Sequence, residues 1–360
     1  MAYLALYRDR LQQNFNKLDS LFTKNGISWG IVTKLLCGNR EYLKEVMSLG
    51  VREVHDSRIS NLKAIKLLDP DIQTVYIKPP PKKSIAAVIT YADVSLNTEL
   101  STIRMLSDEA VKQNRTHKVL IMIEMGDLRE GVMRESLLDF YKEVFELPNI
   151  TIVGLGTNLN CLHGVMPSAD KLIQLSLYKQ LIDLQFKKEI PWVSGGTTVT
   201  LPLLIRGDLP IGINHFRIGE ALYFGADLFT GGLIDGMRDD VFELYTEILE
   251  IQEKPMLPSG DIGVDPMGHI LQIDPKLIGK SSYRAILDIG HLDVNPDFLI
   301  PKDDHIRVVD ASSDMLIVDV GQNPSNLNVG DEVRFGLKYM GALGVMNSRY
   351  IEKRIFTPRG

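Results

Sequence analysis

Leu11, Phe15, Leu18 and Phe22 recur at spacings of four, three and four residues, which places them on one face of a helix predicted from Arg8 to Lys24, with Asn25-Gly26 as its stop. Eight short strand-like runs follow: Trp29–Lys34, Arg52–His55, Gln73–Lys78, Ala92–Leu96, Lys118–Glu124, Thr151–Gly156, Pro191–Ser194 and Asn214–Arg217. Helical patterns separate most of them, such as Ile59/Leu62/Ile65/Leu68, Leu137/Phe140/Tyr141/Val144 and a long one from Ser168 to Lys188. Strand–helix alternation repeated eight times predicts an α/β chain wound as a (β/α)8 TIM-type barrel, with a doubly wound sheet as the runner-up. Beyond about Asp240 the long helices cease. Val241–Ile251, Tyr283–Ile289, Ile306–Val309 and Met315–Val320 read as strands, with a Pro/Gly-rich loop at Lys254–Gly268. The expected division is a barrel over residues 1–238 and a C-terminal all-β domain over 239–360.

A barrel of parallel strands builds its active site at the strands' C-terminal tips. Lys34 stands at the tip of the first. Desolvation there lowers an amine's pKa and frees it to attack a carbonyl; the plainer reading is a solvated loop lysine. The seventh strand ends in Ser194-Gly195-Gly196-Thr197-Thr198. Its glycines allow close backbone approach, and its hydroxyls and N–H groups suit a phosphate. The eighth ends in Phe216-Arg217-Ile218-Gly219-Glu220-Ala221-Leu222 and opens a helix. Gly-Gly-Thr turns are common and Arg217 could serve an ion pair, but barrels often bind phosphate at these two neighbouring tips.

Composition narrows the field. The chain has 360 residues, 44% of them hydrophobic, enough for a large core beside a second domain. A net charge of −6, with the signs interspersed, offers no basic footprint for nucleic acid. No apolar run is long enough to span a membrane, and Met1-Ala2-Tyr3-Leu4 does not begin a secretory signal. Two cysteines, Cys37 and Cys161, point to reduced thiols in a cytoplasmic protein. Seven scattered histidines give no metal-ligand spacing, so no metal is expected.

A lysine at tip one and a phosphate cradle at tips seven and eight suit pyridoxal 5'-phosphate, which carries an aldehyde at one end and a phosphate at the other. Over nearly its whole length the chain resembles the alanine racemase family of fold type III pyridoxal phosphate enzymes, nearest its ornithine racemase branch. The resemblance implies that Lys34 is the Schiff-base lysine and one of two acid/base groups. It implies that Thr197 and Thr198, with the Gly219 and Glu220 amides and Tyr350 of Ser348-Arg349-Tyr350, hold the phosphate. Glu124-Met125-Gly126-Asp127-Leu128-Arg129-Glu130-Gly131 is similar to the family's strand-five motif, with Arg129 near the substrate carboxylate. Asn158 of Gly156-Thr157-Asn158 replaces a histidine that packs on the cofactor ring. Ser313, in Ala311-Ser312-Ser313-Asp314, reaches into a partner subunit's site, which implies a homodimer with shared active sites.

Arg217 separates reaction types. Related decarboxylases carry Glu-Pro-Gly-Arg here, whose glutamate keeps the ring nitrogen protonated, whereas an arginine disfavours that protonation. A weaker electron sink suits racemisation over decarboxylation. Racemisation needs a second base opposite Lys34. The family's Ser-Tyr-Gly turn is missing, which leaves Asp265 in Gly263–Gly268, His291 in Gly290-His291-Leu292-Asp293, and Tyr283. The implied activity is interconversion of L- and D-amino acids. Gly38 stands where the family has a bulky tyrosine, so the pocket admits a longer side chain, and Asp127 or Glu130 could pair its distal amine, as ornithine or lysine would need. A basic amino-acid decarboxylase or a D-threonine aldolase-like lyase is the alternative.

Overall fold

The computed structural model describes residues 2–264, 268 and 270–357, which form two compact units. The first helix forms as its pattern predicts, Arg8–Lys24, and buries Leu11, Phe15, Leu18 and Phe22. Each such side chain removed from water contributes roughly 1.5–3 kcal/mol. Gly26, at φ 63°, ends it: Gly26 N–H donates to Thr23 O (3.1 Å) and Ile27 N–H to Phe22 O (3.0 Å). This left-handed C-terminal cap is open to glycine at little cost.

The unit spanning Arg8–Val241 is the barrel. Its strands, in chain order, are Ser28–Val32, Glu53–Asp56, Gln73–Tyr76, Val94–Asn97, His117–Met122, Ile150–Gly156, Trp192–Ser194 and His215–Ile218. Each pairs in parallel with the next as far as the seventh, and the eighth pairs with the first in the register Ile31↔Ile218. Between the seventh and eighth the ring narrows to one bridge, Gly196↔Phe216. Glycine is required there: a Cβ on residue 196 would lie 2.2 Å from the Phe216 ring.

The other unit joins Tyr3–Tyr7 to the C-terminal strands, so the expected boundary at 238/239 is corrected at both ends: residues 1–7 and 242–356 form it. Tyr3–Tyr7 pairs antiparallel with Phe242–Pro255 and parallel with Glu352–Phe356. The all-β expectation also needs amendment. An antiparallel sheet holds most of the unit, but Tyr339–Asn347 is a helix.

Candidate active site

The tips of barrel strands one, six, seven and eight carry one polar cluster. At strand one, Thr33 is tied down by its N–H donating to His55 O (2.8 Å) and its hydroxyl to Asp56 Oδ2 (3.0 Å). Asp56 also accepts from the Arg58 N–H at 2.9 Å and the Asn61 amide at 3.1 Å. The backbone before Lys34 is therefore fixed, while the Lys34 side chain is exposed. The desolvated amine expected from the sequence is thus not found in this chain alone. Burial raises the Glu220 carboxyl's pKa, and the charge of Lys34 works against that shift, which puts strand tips one and eight within electrostatic reach.

Tips seven and eight are joined by Thr198, whose Oγ1 accepts from Ala221 N–H at 3.1 Å. Thr198 is buried and Thr197 partly so. Among the described residues neither the Gly219 nor the Glu220 N–H has an acceptor. An anion placed here would meet two backbone donors and two hydroxyls, close to the amine of Lys34.

Arg217 is buried. Its Nη1 donates to Ser194 O (2.8 Å) and to Ser194 Oγ; its Nη2 donates to Thr157 O and Asn158 Oδ1, both at 2.7 Å. The four terminal N–H groups therefore clamp strands six and seven, which leaves Nε–H as the remaining donor. Burial lowers the guanidinium's pKa to about 10, so it is still charged at neutral pH. Asn158 bridges onward: its amide donates to Glu130, which also takes both an Nε and an Nη donor of Arg129. Arg129 is thus paired with a neighbouring carboxylate here.

Asp127 does something different from pairing a substrate amine. Its carboxylate accepts backbone N–H groups from Cys161 and Leu162 (2.9 Å each), His163 (3.1 Å) and Val165 (3.3 Å). Burial favours the neutral acid, but these donors outweigh it and hold the carboxyl below its ordinary value. It staples the loop after strand six to the loop after strand five.

In the β unit, three residues singled out from the sequence come together. His291 N–H donates to Ser312 O (3.0 Å) and Leu292 N–H to Ser313 O (2.9 Å). Asp293 accepts from the Ser348 hydroxyl at 2.6 Å, and that same oxygen accepts from Tyr350 N–H at 3.2 Å. Gly290 permits this contact, because a Cβ there would stand 2.4 Å from Asp314 N. His291 Nε2 is buried without a partner among the described residues, and the Tyr350 side chain is exposed. Asp265 lies outside the described residues.

A family model described as alanine racemase, N-terminal domain, matches residues 6–227. The chain belongs to the alanine racemase family. Family membership extends through both units: an ornithine racemase from Acetoanaerobium sticklandii is 39% identical over 348 residues, 96% of this chain and 97% of that one. A lysine racemase from Thermotoga maritima is 30% identical over 350 residues, 97% of each chain. An alanine racemase from Bartonella henselae, solved with covalently bound pyridoxal phosphate, superposes with a TM-score of 0.74 over 99% of both chains at 16% identity, a likeness of fold. Within this family fold, the strand tips that sequence reasoning singled out carry Lys34, Arg217, Thr197 and Thr198. That reasoning took Ser194 only as the start of the phosphate-side turn and passed over His215 and Glu53, whose signal is polar residues at inward strand positions.

Proposed function

We propose that the protein is a pyridoxal 5'-phosphate-dependent racemase of basic amino acids, ornithine or lysine. The observation that carries this reading is that the neighbouring strands one and eight carry Lys34, exposed just past one tip, and Arg217, buried and clamped on the other. The full-length likeness to relatives named for ornithine and lysine supports the substrate class. The cofactor fits the residues present: an amine for its aldehyde, Thr197, Thr198 and the two unmatched N–H groups for its phosphate, and a fixed cation for its ring. When bound it supplies an aldehyde that takes up amino groups covalently and a ring that accepts the electron pair left at Cα.

The chain's own residues supply the rest. The Lys34 amine removes or returns the Cα proton on one face. Arg217 would face the cofactor's ring and disfavour protonation of its nitrogen, at about 1.4 kcal/mol for each pKa unit shifted. Asn158 and Ser194 keep the guanidinium in place, and Arg129 turns from Glu130 to the substrate carboxylate. The second proton-moving group, His291 or Asp265, comes from the β unit of a second copy, together with Ser313, while Tyr350 adds a hydroxyl to the phosphate set. The active form is accordingly a homodimer. It acts in the cytoplasm, a reading supported by a cysteine content of two, too few for a disulfide framework.

The test is an absorbance spectrum of the protein with pyridoxal 5'-phosphate, then loss of optical rotation from L-ornithine, L-lysine and L-alanine. A band that borohydride abolishes, with decay of rotation for a basic substrate, is expected. Lys34→Ala should lose both. Full racemisation by Lys34→Ala, or release of CO2 in place of racemisation, refutes the proposal.

A further inference from the structure

One part of the barrel's core is an apolar cluster of Val75, Val94, Leu96, Leu120, Met122 and Val153. Another continues from Arg217 as a line of buried polar groups. Glu53 and His55 occupy alternate positions of strand two, and His215 begins strand eight. Glu53 Oε1 lies 2.5 Å from His55 Nε2 and 2.8 Å from His215 Nε2, and Glu53 Oε2 accepts from the Gln73 amide. His215 Nδ1 lies 2.7 Å from Ser194 Oγ, the atom that Arg217 also contacts. Strand one leaves room for this junction only because residue 30 is glycine: a Cβ there would stand 2.3 Å from His55 Nε2 and 2.8 Å from Glu53 Oε1.

The chemistry of these groups sets the direction of each bond. A carboxylate only accepts, so both imidazoles present Nε2–H to Glu53. His215 Nδ1 is then a lone pair and takes the Ser194 hydroxyl proton. Ser194 Oγ, having donated, accepts from Arg217. One ordered chain thus runs from a buried cation to a buried anion, and bonds in such a chain polarise one another. The same Glu53, His55 and His215 atoms could surround a metal ion. A divalent cation there would stand beside the guanidinium with one carboxylate to offset both, so the hydrogen-bonded form prevails.

We propose that Glu53 is a positioning residue for Arg217, acting through His215 and Ser194. This rests on the functional reading in which Arg217 faces the cofactor ring. Glu53 fixes the His215 tautomer, which fixes the Ser194 proton, which in turn seats the guanidinium and supplies its counter-charge within the barrel. A glutamine at this position can donate to His215 Nε2 and so reverse the chain.

The first measurement is imidazole nitrogen NMR of the wild-type protein without cofactor, where His215 should be the Nε2–H tautomer; the Nδ1–H tautomer overturns the proposal. It requires no variant to fold. In Glu53→Gln the tautomer should switch or become mixed. With cofactor bound, Glu53→Gln should lower kcat roughly 10- to 100-fold, the range seen when the outer partners of metal ligands are removed, with KM changed less than about threefold. The absorbance maximum should shift, and Glu53→Asp should restore part of both. In an Arg217→Gln background, Glu53→Gln should cause no further loss of kcat, because the two act through one chain. Wild-type kcat and spectrum in Glu53→Gln, or losses that simply multiply in the double variant, overturn it. Failure of the wild-type protein to form any absorbing complex overturns the functional reading instead, and the tautomer still decides whether Glu53 orders the chain to Arg217.

Discussion

Replacing Arg217 with glutamine tests whether the guanidinium holds the barrel tips together. The side chain gives four terminal N–H groups to acceptors on strands six and seven. Glutamine offers two, so two buried acceptors lose their donors, at about 1–3 kcal/mol each. The expected loss is therefore about 2–6 kcal/mol, a large share of the roughly 5–15 kcal/mol that holds a folded protein. It agrees with the roughly 3–5 kcal/mol typical of removing one partner from a buried ionic network. Urea unfolding followed by tryptophan fluorescence reads this directly, since both tryptophans, Trp29 and Trp192, belong to the barrel and Trp192 stacks on His215 at 4.3 Å. The midpoint should fall with the slope unchanged. Arg217→Lys keeps the charge but has no fork to span Ser194 and Asn158, so it should recover little. A glutamine variant within about 0.5 kcal/mol of wild type, the range of inert surface changes, refutes the clamp.

Asp127→Asn replaces a carboxylate that accepts four N–H groups with an amide that turns one edge into a donor; it should cost about 1–3 kcal/mol and expose the chain near Leu162 to limited proteolysis. The pH dependence has a definite sign. Because Asp127's carboxyl is held below its ordinary value, its contribution is complete above the unfolded value of about 3.9 and is lost as pH falls through the folded one. The unfolding midpoints of wild type and Asp127→Asn should thus differ at pH 7 and converge in acid. Gly196→Ala forces a Cβ to within 2.2 Å of Phe216 at the single bridge between strands seven and eight; a loss of about 1–3 kcal/mol, measured as a lowered barrel transition, is expected.

The barrel was legible because its signals are local. Each strand is a short apolar run beside an amphipathic helix, and all eight lie within two residues of their predicted positions. Tyr3–Tyr7 was not legible, because its partners, Phe242–Pro255 and Glu352–Phe356, lie more than two hundred residues away and nothing near it announces pairing. Tyr339–Asn347 hid behind Gly341 and Gly344, which lower helix propensity. Gly341 is there for contact: a Cβ would lie 2.8 Å from Phe298.

The same contrast runs through the site. Lys34 and Arg217 were singled out because strand tips are where barrel chemistry sits and because the residues around them match a family. Asp127 was misread because an acid in a loop looks like a free charge until the backbone N–H groups that fold onto it are seen. Glu53 was passed over because it sits at the start of its strand, away from the C-terminal tips where barrel chemistry is sought, and a charged residue there reads as solvent-facing. A stricter physical demand was nevertheless present in the sequence. If Arg217 acts on a ring it must be buried, and a buried guanidinium requires acceptors and counter-charge from the strands around it. Glu130, after strand five, and Glu53, at the start of strand two, meet that demand from opposite sides, each through a neutral bridge: Asn158 for one, His215 with Ser194 for the other. The same buried arginine thus also accounts for the ionic side of the barrel's interior.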